Sequence, residues 1–207
     1  MTKAVRRLGG WAVSEIALSV LLLTGYPPNR LTAQDTLPVG YGTLKRDDIV
    51  VKFATDQLQI QVLPLAESVI RLLAPDTYAS LEQLMKSKRA EIELATQRAG
   101  IARPTLVMVT FFGVMPQARF SPEDVNITSQ SRLFRPVGIV PLSPRWSSYQ
   151  LDAREQAIAI YVFEEGINFR ESVGVSYQDA TNDVWRTILP LLDRERSRVL
   201  ARARLGG

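Results

Sequence analysis

Near the end of the chain, Arg194, Arg198 and Arg202 recur at four-residue steps. On a helix of about 3.6 residues per turn that spacing places three guanidinium groups on one stripe, with Val199 and Leu200 as an apolar edge. Fixed positive charge beside apolar surface suits an acidic protein surface or anionic lipid headgroups. Arginines in the last turns of a helix also complement its dipole without any partner, which is the competing structural reading. A second candidate is the stretch "VPLSPRWSSY", where Trp146 and Tyr149 stand among Pro141 and Pro144. These two rings could form a recognition loop, or Trp146 could fold over a sheet edge as a cap.

Other polar groups carry less chemistry. Glu164 and Glu165 are adjacent, so on a strand they point to opposite faces and cannot share a substrate proton; a polar turn is the simpler reading. Asp179, Asn182 and Asp183 offer oxygen ligands, but the twelve-residue calcium-loop pattern is missing, and helix capping by Asp179 or Thr181 accounts for them. In Lys86-Ser87-Lys88 a lysine base would have to be desolvated to activate the serine, whereas this stretch reads as a solvated helix face. The chain holds no histidine and no cysteine. That excludes Ser-His-Asp hydrolysis, histidine-ligated metals or haem, thiol catalysis and disulfides. No Gly-rich phosphate loop is present either. The expectation is therefore no catalytic residue, no bound cofactor and no metal ligand set.

The first 33 residues set the compartment. Lys3, Arg6 and Arg7 precede an apolar stretch from Trp11 to Thr24, and Thr32-Ala33 before Gln34 offers a small-residue cut site, the three-part layout of an export signal. A spanning helix needs about 20 largely apolar residues; this run is shorter and carries Glu15, so a retained anchor is the second reading. The full chain has 25 Lys+Arg against 21 Asp+Glu, a net of +4. Residues 1–33 hold four of those cations and one anion, leaving 21 against 20, or +1, for the rest. The sequence pI of 9.6 is thus mostly the leading segment, and no nucleic-acid partner is expected.

The positioning elements follow from periodicity. Residues 34–47 are rich in Gly, Pro and polar residues and read as a lead-in. "DIVVKF" and "LQIQVLPL" read as a hairpin, the apolar/Gln alternation at 58–62 marking one buried and one wet face. Over 66–99 the period becomes helical: a short turn ended by Pro75, then one amphipathic helix of about six turns capped by Asp76, its apolar face carrying Tyr78, Leu81, Met85, Ile92 and Ala95. "TLVMVTFFG" is apolar enough to be a strand covered on both faces, and "DVNIT", "LFRPVGIVPL", "AIAIYVF" and "SVGVSY" follow as short strands. Residues 181–207 read as a C-terminal helix with a basic tail, kinked or split at Pro190, its second half projecting from the domain.

The expected fold is α+β: an antiparallel β-sandwich core of immunoglobulin-like type over 48–180, with an inserted amphipathic helix and a C-terminal helix. The expected function is binding: an exported, periplasmic, non-catalytic accessory protein that docks on a protein partner, a membrane complex such as a photosynthetic or respiratory assembly, or an anionic membrane surface. A histidine-independent hydrolase or carbohydrate-active domain is the first alternative, and a small-ligand or lipid carrier with an apolar cavity under residues 78–99 is the second. The export reading has a direct check. Intact mass of natively expressed protein is expected to begin at Gln34 in the soluble fraction, and a mass retaining residues 1–33 with the membrane would make the segment an anchor.

Overall fold

The computed structural model describes residues 40–205; the expected export segment lies outside them. The chain order is β1 (Val51–Ala54), β2 (Leu58–Pro64), α1 (Glu67–Ile70), α2 (Pro75–Ser87), α3 (Arg89–Arg98), β3 (Thr105–Gly113), β4 (Ala118–Arg119), β5 (Val125–Ser129), β6 (Arg132–Phe134), β7 (Gly138–Pro141), β8 (Gln150–Leu151), β9 (Gln156–Phe163), β10 (Val173–Tyr177), β11 (Ala180–Asn182) and α4 (Trp185–Leu205). The strands form an antiparallel five-stranded sheet in the order β1-β2-β3-β9-β7, a four-stranded sheet β11-β10-β5-β6 and a small pair β4-β8. This is a sandwich-like α+β fold, as the strand spacing predicts.

The hairpin of β1 and β2 forms with Val51 opposite Val62 and Phe53 opposite Ile60. Leu58, Ile60 and Val62 are buried while Gln59 and Gln61 are partly exposed, so the period of two survives in the burial pattern. Strand β3 lies at the centre, and its residues Val107 to Phe111 are all buried. Val107, Val109 and Phe111 alternate onto the face turned to the second sheet, where the Phe111 ring meets Tyr177 of β10 edge-on at 5.5 Å between centroids. On the opposite face α3 packs across β7 and β9. A Cβ at Gly138 would stand 2.9 Å from that of Ala95, which is why the strand carries glycine where the helix crosses it.

Four expectations are corrected. The single six-turn helix is two, because Lys88 leaves helical geometry with φ −104° and ψ 9°. A one-residue break barely disturbs the apolar period, and Ser87-Lys88-Arg89 contains no strong helix breaker to announce it. Asp76 is not the cap: Ala74 holds that position in an extended conformation and Pro75 is the first helical residue. Proline presets the φ of a first turn and lacks only an amide that would be orphaned there anyway, so it starts this helix and does not merely end the one before it. "LFRPVGIVPL" is not one strand; Pro136 lies in the link that carries the chain from β6 in one sheet to β7 in the other. Finally, α4 is not split at Pro190 but runs unbroken from Trp185 to Leu205. The buried Trp185, Ile188, Leu192 and Val199 hold it on the domain and offset the roughly 3 kcal/mol that an interior proline costs.

The lead-in is stitched into the fold. The amide of Gly42 donates to the Arg71 carbonyl at 2.8 Å, that of Leu44 to Leu72 at 3.1 Å, and that of Ala74 back to Leu44 at 2.9 Å. Such close backbone approach leaves no room at Gly42, where a Cβ would fall 1.9 Å from the Leu72 carbonyl oxygen. Gly42→Ala is therefore expected to lose about 2–4 kcal/mol of unfolding free energy, read as a lowered urea midpoint; an unchanged midpoint would mean that this segment does not pack as described.

Candidate functional site

The arginine stripe is built on α4, and its geometry turns on one buried carboxylate. Glu195 lies on the inner side of the helix with its side chain 1% exposed. Its Oε1 accepts hydrogen bonds from the Thr43 amide at 2.9 Å and the Thr43 hydroxyl at 3.0 Å. Arg202 donates to the same oxygen at 3.2 Å and Arg198 to Oε2 at 3.3 Å. Burial by itself pushes this carboxyl up, but the hydrogen bonds from Thr43 and Arg198 and the charge of Arg202 outweigh it and hold it below its ordinary value. The expected free projection of the tail is thus corrected: Arg198 and Arg202 lean on the domain around Glu195.

They remain largely in solvent, with side chains 62% and 52% exposed, and Arg194, one turn earlier, is exposed too. The apolar edge expected beside them is rearranged. Val199 is buried in the core. Leu200 is exposed, but at about 100° per residue it sits some 200° around the helix from Arg198, on the other flank. The apolar neighbour of the stripe is instead Tyr41, whose carbonyl accepts from Arg202 at 3.4 Å. The half-exposed Tyr41 ring packs on Tyr78, 4.9 Å between centroids. The Arg71 guanidinium lies 5.1 Å and 4.9 Å from those two ring centres, a cation–π contact on both. Glu67 closes the group, pairing with Arg71 and accepting from the Tyr78 hydroxyl at 2.8 Å. Burial first, and that hydrogen bond second, push the Tyr78 phenol up to about 12. The result is a basic flank of Arg194, Arg198 and Arg202 with an aromatic patch at its edge, placed where the described chain begins.

The second candidate divides in two. Trp146 is buried, its ring 5.9 Å from Phe111, 5.3 Å from Phe120 and 6.0 Å from Tyr161, so it is a cap on the sandwich and not an exposed recognition group. Tyr149 is 53% exposed and ends the 3-10 turn Pro144–Ser148 in the left-handed region at φ 51°. Between them runs a groove of about 820 Å³ walled by Phe120, Glu123, Asp124, Ile139, Trp146 and Tyr149. It adjoins a hollow of about 530 Å³ that shares Glu123, Asp124 and Ile139 and is completed by Asn126, Arg135 and Val137.

Several of the remaining polar candidates are engaged in contacts within the fold. Glu164 pairs with Arg132. Lys86 pairs with Glu82 and Lys88 with Glu91, while the Ser87 hydroxyl is spent on the Leu84 carbonyl. Asn182 caps the entry to α4 by accepting from the Val184 amide at 2.7 Å, a role the spacing assigned to Asp179 or Thr181. Among the described residues no three His, Cys, Asp or Glu side chains gather to hold a metal ion. Where a carrier would need open apolar space, at residues 78–99, α3 touches β7 at Ala95 and Gly138, and a hollow of about 320 Å³ lies among Met85, Ile92 and Leu106. No family model, curated protein or solved structure matches the chain.

Sequence reasoning missed Glu195, Tyr41, Glu123 and Ile139. Only Glu195 left a trace, as the lone acid three residues before Arg198 and seven before Arg202. Because folding lowers its pKa, its ionised form contributes stability that is complete above the ordinary value near 4.5 and is lost as pH falls through the folded value. Glu195→Gln is accordingly expected to cost about 1–3 kcal/mol near neutral pH. The gap between the two proteins should narrow on acidification below about pH 4, measured by denaturant unfolding across pH; a gap constant with pH would show that the carboxylate charge does not hold the helix.

Proposed function

We propose that this chain is an exported, non-catalytic binding module that rests its α4 flank against an anionic membrane surface, as an accessory component at that surface. The observation that carries the reading is a fixed, exposed row of cations with an aromatic edge and no acidic side chain spent on Arg194 among the described residues. Arg194, Arg198 and Arg202 stay exposed along the flank, and the half-exposed Tyr41 stands at its edge. Among the described residues no helix is long and apolar enough to cross a membrane.

Magnitudes say how strongly such a flank would hold. Each arginine near an anionic leaflet contributes about 1 kcal/mol, so three contribute about 3 kcal/mol before the opposing charge of Glu195 is counted. That is too little for a lasting hold and fits a weak, reversible, salt-sensitive attachment. Tyrosine suits the polar–apolar boundary that a headgroup layer offers. The fixed geometry around Glu195 also lowers the entropy that two long side chains would otherwise lose on binding.

Sedimentation with vesicles tests this on the full chain. Binding to phosphatidylglycerol vesicles should exceed binding to phosphatidylcholine vesicles and weaken as salt is raised. The Arg194→Gln, Arg198→Gln, Arg202→Gln protein is expected to lose about 100-fold in partition to the anionic vesicles and nothing on the neutral ones. Equal binding of the triple variant would end the proposal for this flank.

A further inference from the structure

The two outer strands of the large sheet are treated differently. On β1, the Asn182 side chain of β11 donates to the Lys52 carbonyl at 3.1 Å, so that edge is tied to the second sheet. On β7 the backbone directions follow from the ladder. The Leu142 amide donates to the Ile158 carbonyl at 2.8 Å, while the Gly113 amide donates to the Glu155 carbonyl on the β3 side of β9, so even-numbered residues of β9 face β7. Val137, whose amide also reaches Val162 opposite Gly138, is a bulge at the start of β7, outside the alternation. In an antiparallel ladder the bonding direction alternates residue by residue, so Val140 bonds inward to Ile160 and Ile139 points outward. The N–H and C=O of Ile139 and the C=O of Pro141 therefore face the groove, and Pro141 has no N–H to leave unmatched.

The walls of that groove are rich in acceptors. The Glu123 carboxylate makes no hydrogen bond or ion pair among the described residues, Asp124 has only a long contact from Gln178 at 3.4 Å, and the Asn126 side-chain oxygen is buried without a partner. Arg135 stands at the far end, and the exposed Tyr149 ring offers an apolar flank at the other.

We propose that this open seam takes one extended, lysine- or arginine-bearing segment of a partner protein, which adds as a short strand to the edge of β7. Its backbone pairs with Ile139 and Pro141, and side chains on one face of the added strand, alternating with those that face solvent, reach Glu123 and Asp124. The unspent acidic groups select a basic segment over an acidic one, since like charges in a half-buried groove would repel. Four residues of edge, ending at proline, allow only a short partner strand, which suits reversible docking and guards against indiscriminate pairing. This surface is separate in its argument from the arginine flank of α4 and stands if that reading falls.

Fluorescence anisotropy with the full chain tests it, using as probe a blocked hexapeptide of alternating valine and lysine. Saturable binding below about 1 mM is expected, at least about tenfold weaker for the valine–glutamate peptide and for a valine–lysine peptide N-methylated at its central residues. Ile139→Pro removes the outward amide, along with a partly buried side chain, and should weaken binding about tenfold, whereas Ile139→Val, which keeps the amide, should bind within about twofold of the parent; Glu123→Gln should weaken it about threefold to tenfold. Absence of binding, or equal binding of the N-methylated peptide, overturns the proposal. Unchanged binding by Ile139→Pro with native circular dichroism does the same, and if that variant misfolds the N-methylated peptide and Glu123→Gln still decide. Sedimentation that finds the chain self-associated through this edge, with Glu123→Gln unable to associate, would replace the foreign segment with a second copy and refute the assignment.

Discussion

Strand β3 has no wet face, and most of the architecture answers that constraint. A strand buried on both sides must pair along both edges and be covered above and below, because unpaired backbone and exposed apolar surface are each costly. Strands β2 and β9 supply the edges. The second sheet covers one face through Phe111 and Tyr177, and α3 covers part of the other, which requires a glycine at 138 for the helix to approach. The helical insertion is thus a lid on the sheet.

A sandwich made this way has two seams, and each seam meets its backbone needs differently. Asn182 serves both at once, donating to β1 and accepting from the start of α4, so the closed seam and the docking of the C-terminal helix share a residue. The other seam is left with a polar, acid-walled groove lined by Trp146 and Pro122, and behind it the buried Tyr161 hydroxyl donates to the Pro122 carbonyl at 2.8 Å. Burial raises the Tyr161 phenol far above its usual range, so this ring acts as a neutral donor bracing the groove wall.

Glu195 does for the chain ends what β3 does for the core. A carboxylate removed from water needs its lone pairs filled, and here the backbone and hydroxyl of Thr43 and two arginines fill them. The lead-in and the last helix are thereby locked together, and two of the three arginines of the basic flank are given fixed positions. A charged surface held in this way combines long-range attraction with a defined orientation, which a frayed basic tail would lack.

Much of this was determined by sequence. Periodicity marked the β1–β2 hairpin with its wet glutamines, the doubly buried β3 and the amphipathic faces of the helices, because local repeats of two and about 3.6 residues encode burial directly. Composition removed histidine and cysteine chemistry outright. What depended on distant partners was not legible. The arginine stripe was visible, but that Val199 would be core and Leu200 on the opposite flank depended on which side of α4 met the domain. Trp146 could be read as cap or contact until Phe111, Phe120 and Tyr161 converged on it from three segments. The outward amide of Ile139 is a property of β-ladder register, and the burial of Glu195 depends on Thr43, 152 residues away. Local order follows from neighbours in the chain, whereas exposure and pairing are set by which surfaces the tertiary fold brings together.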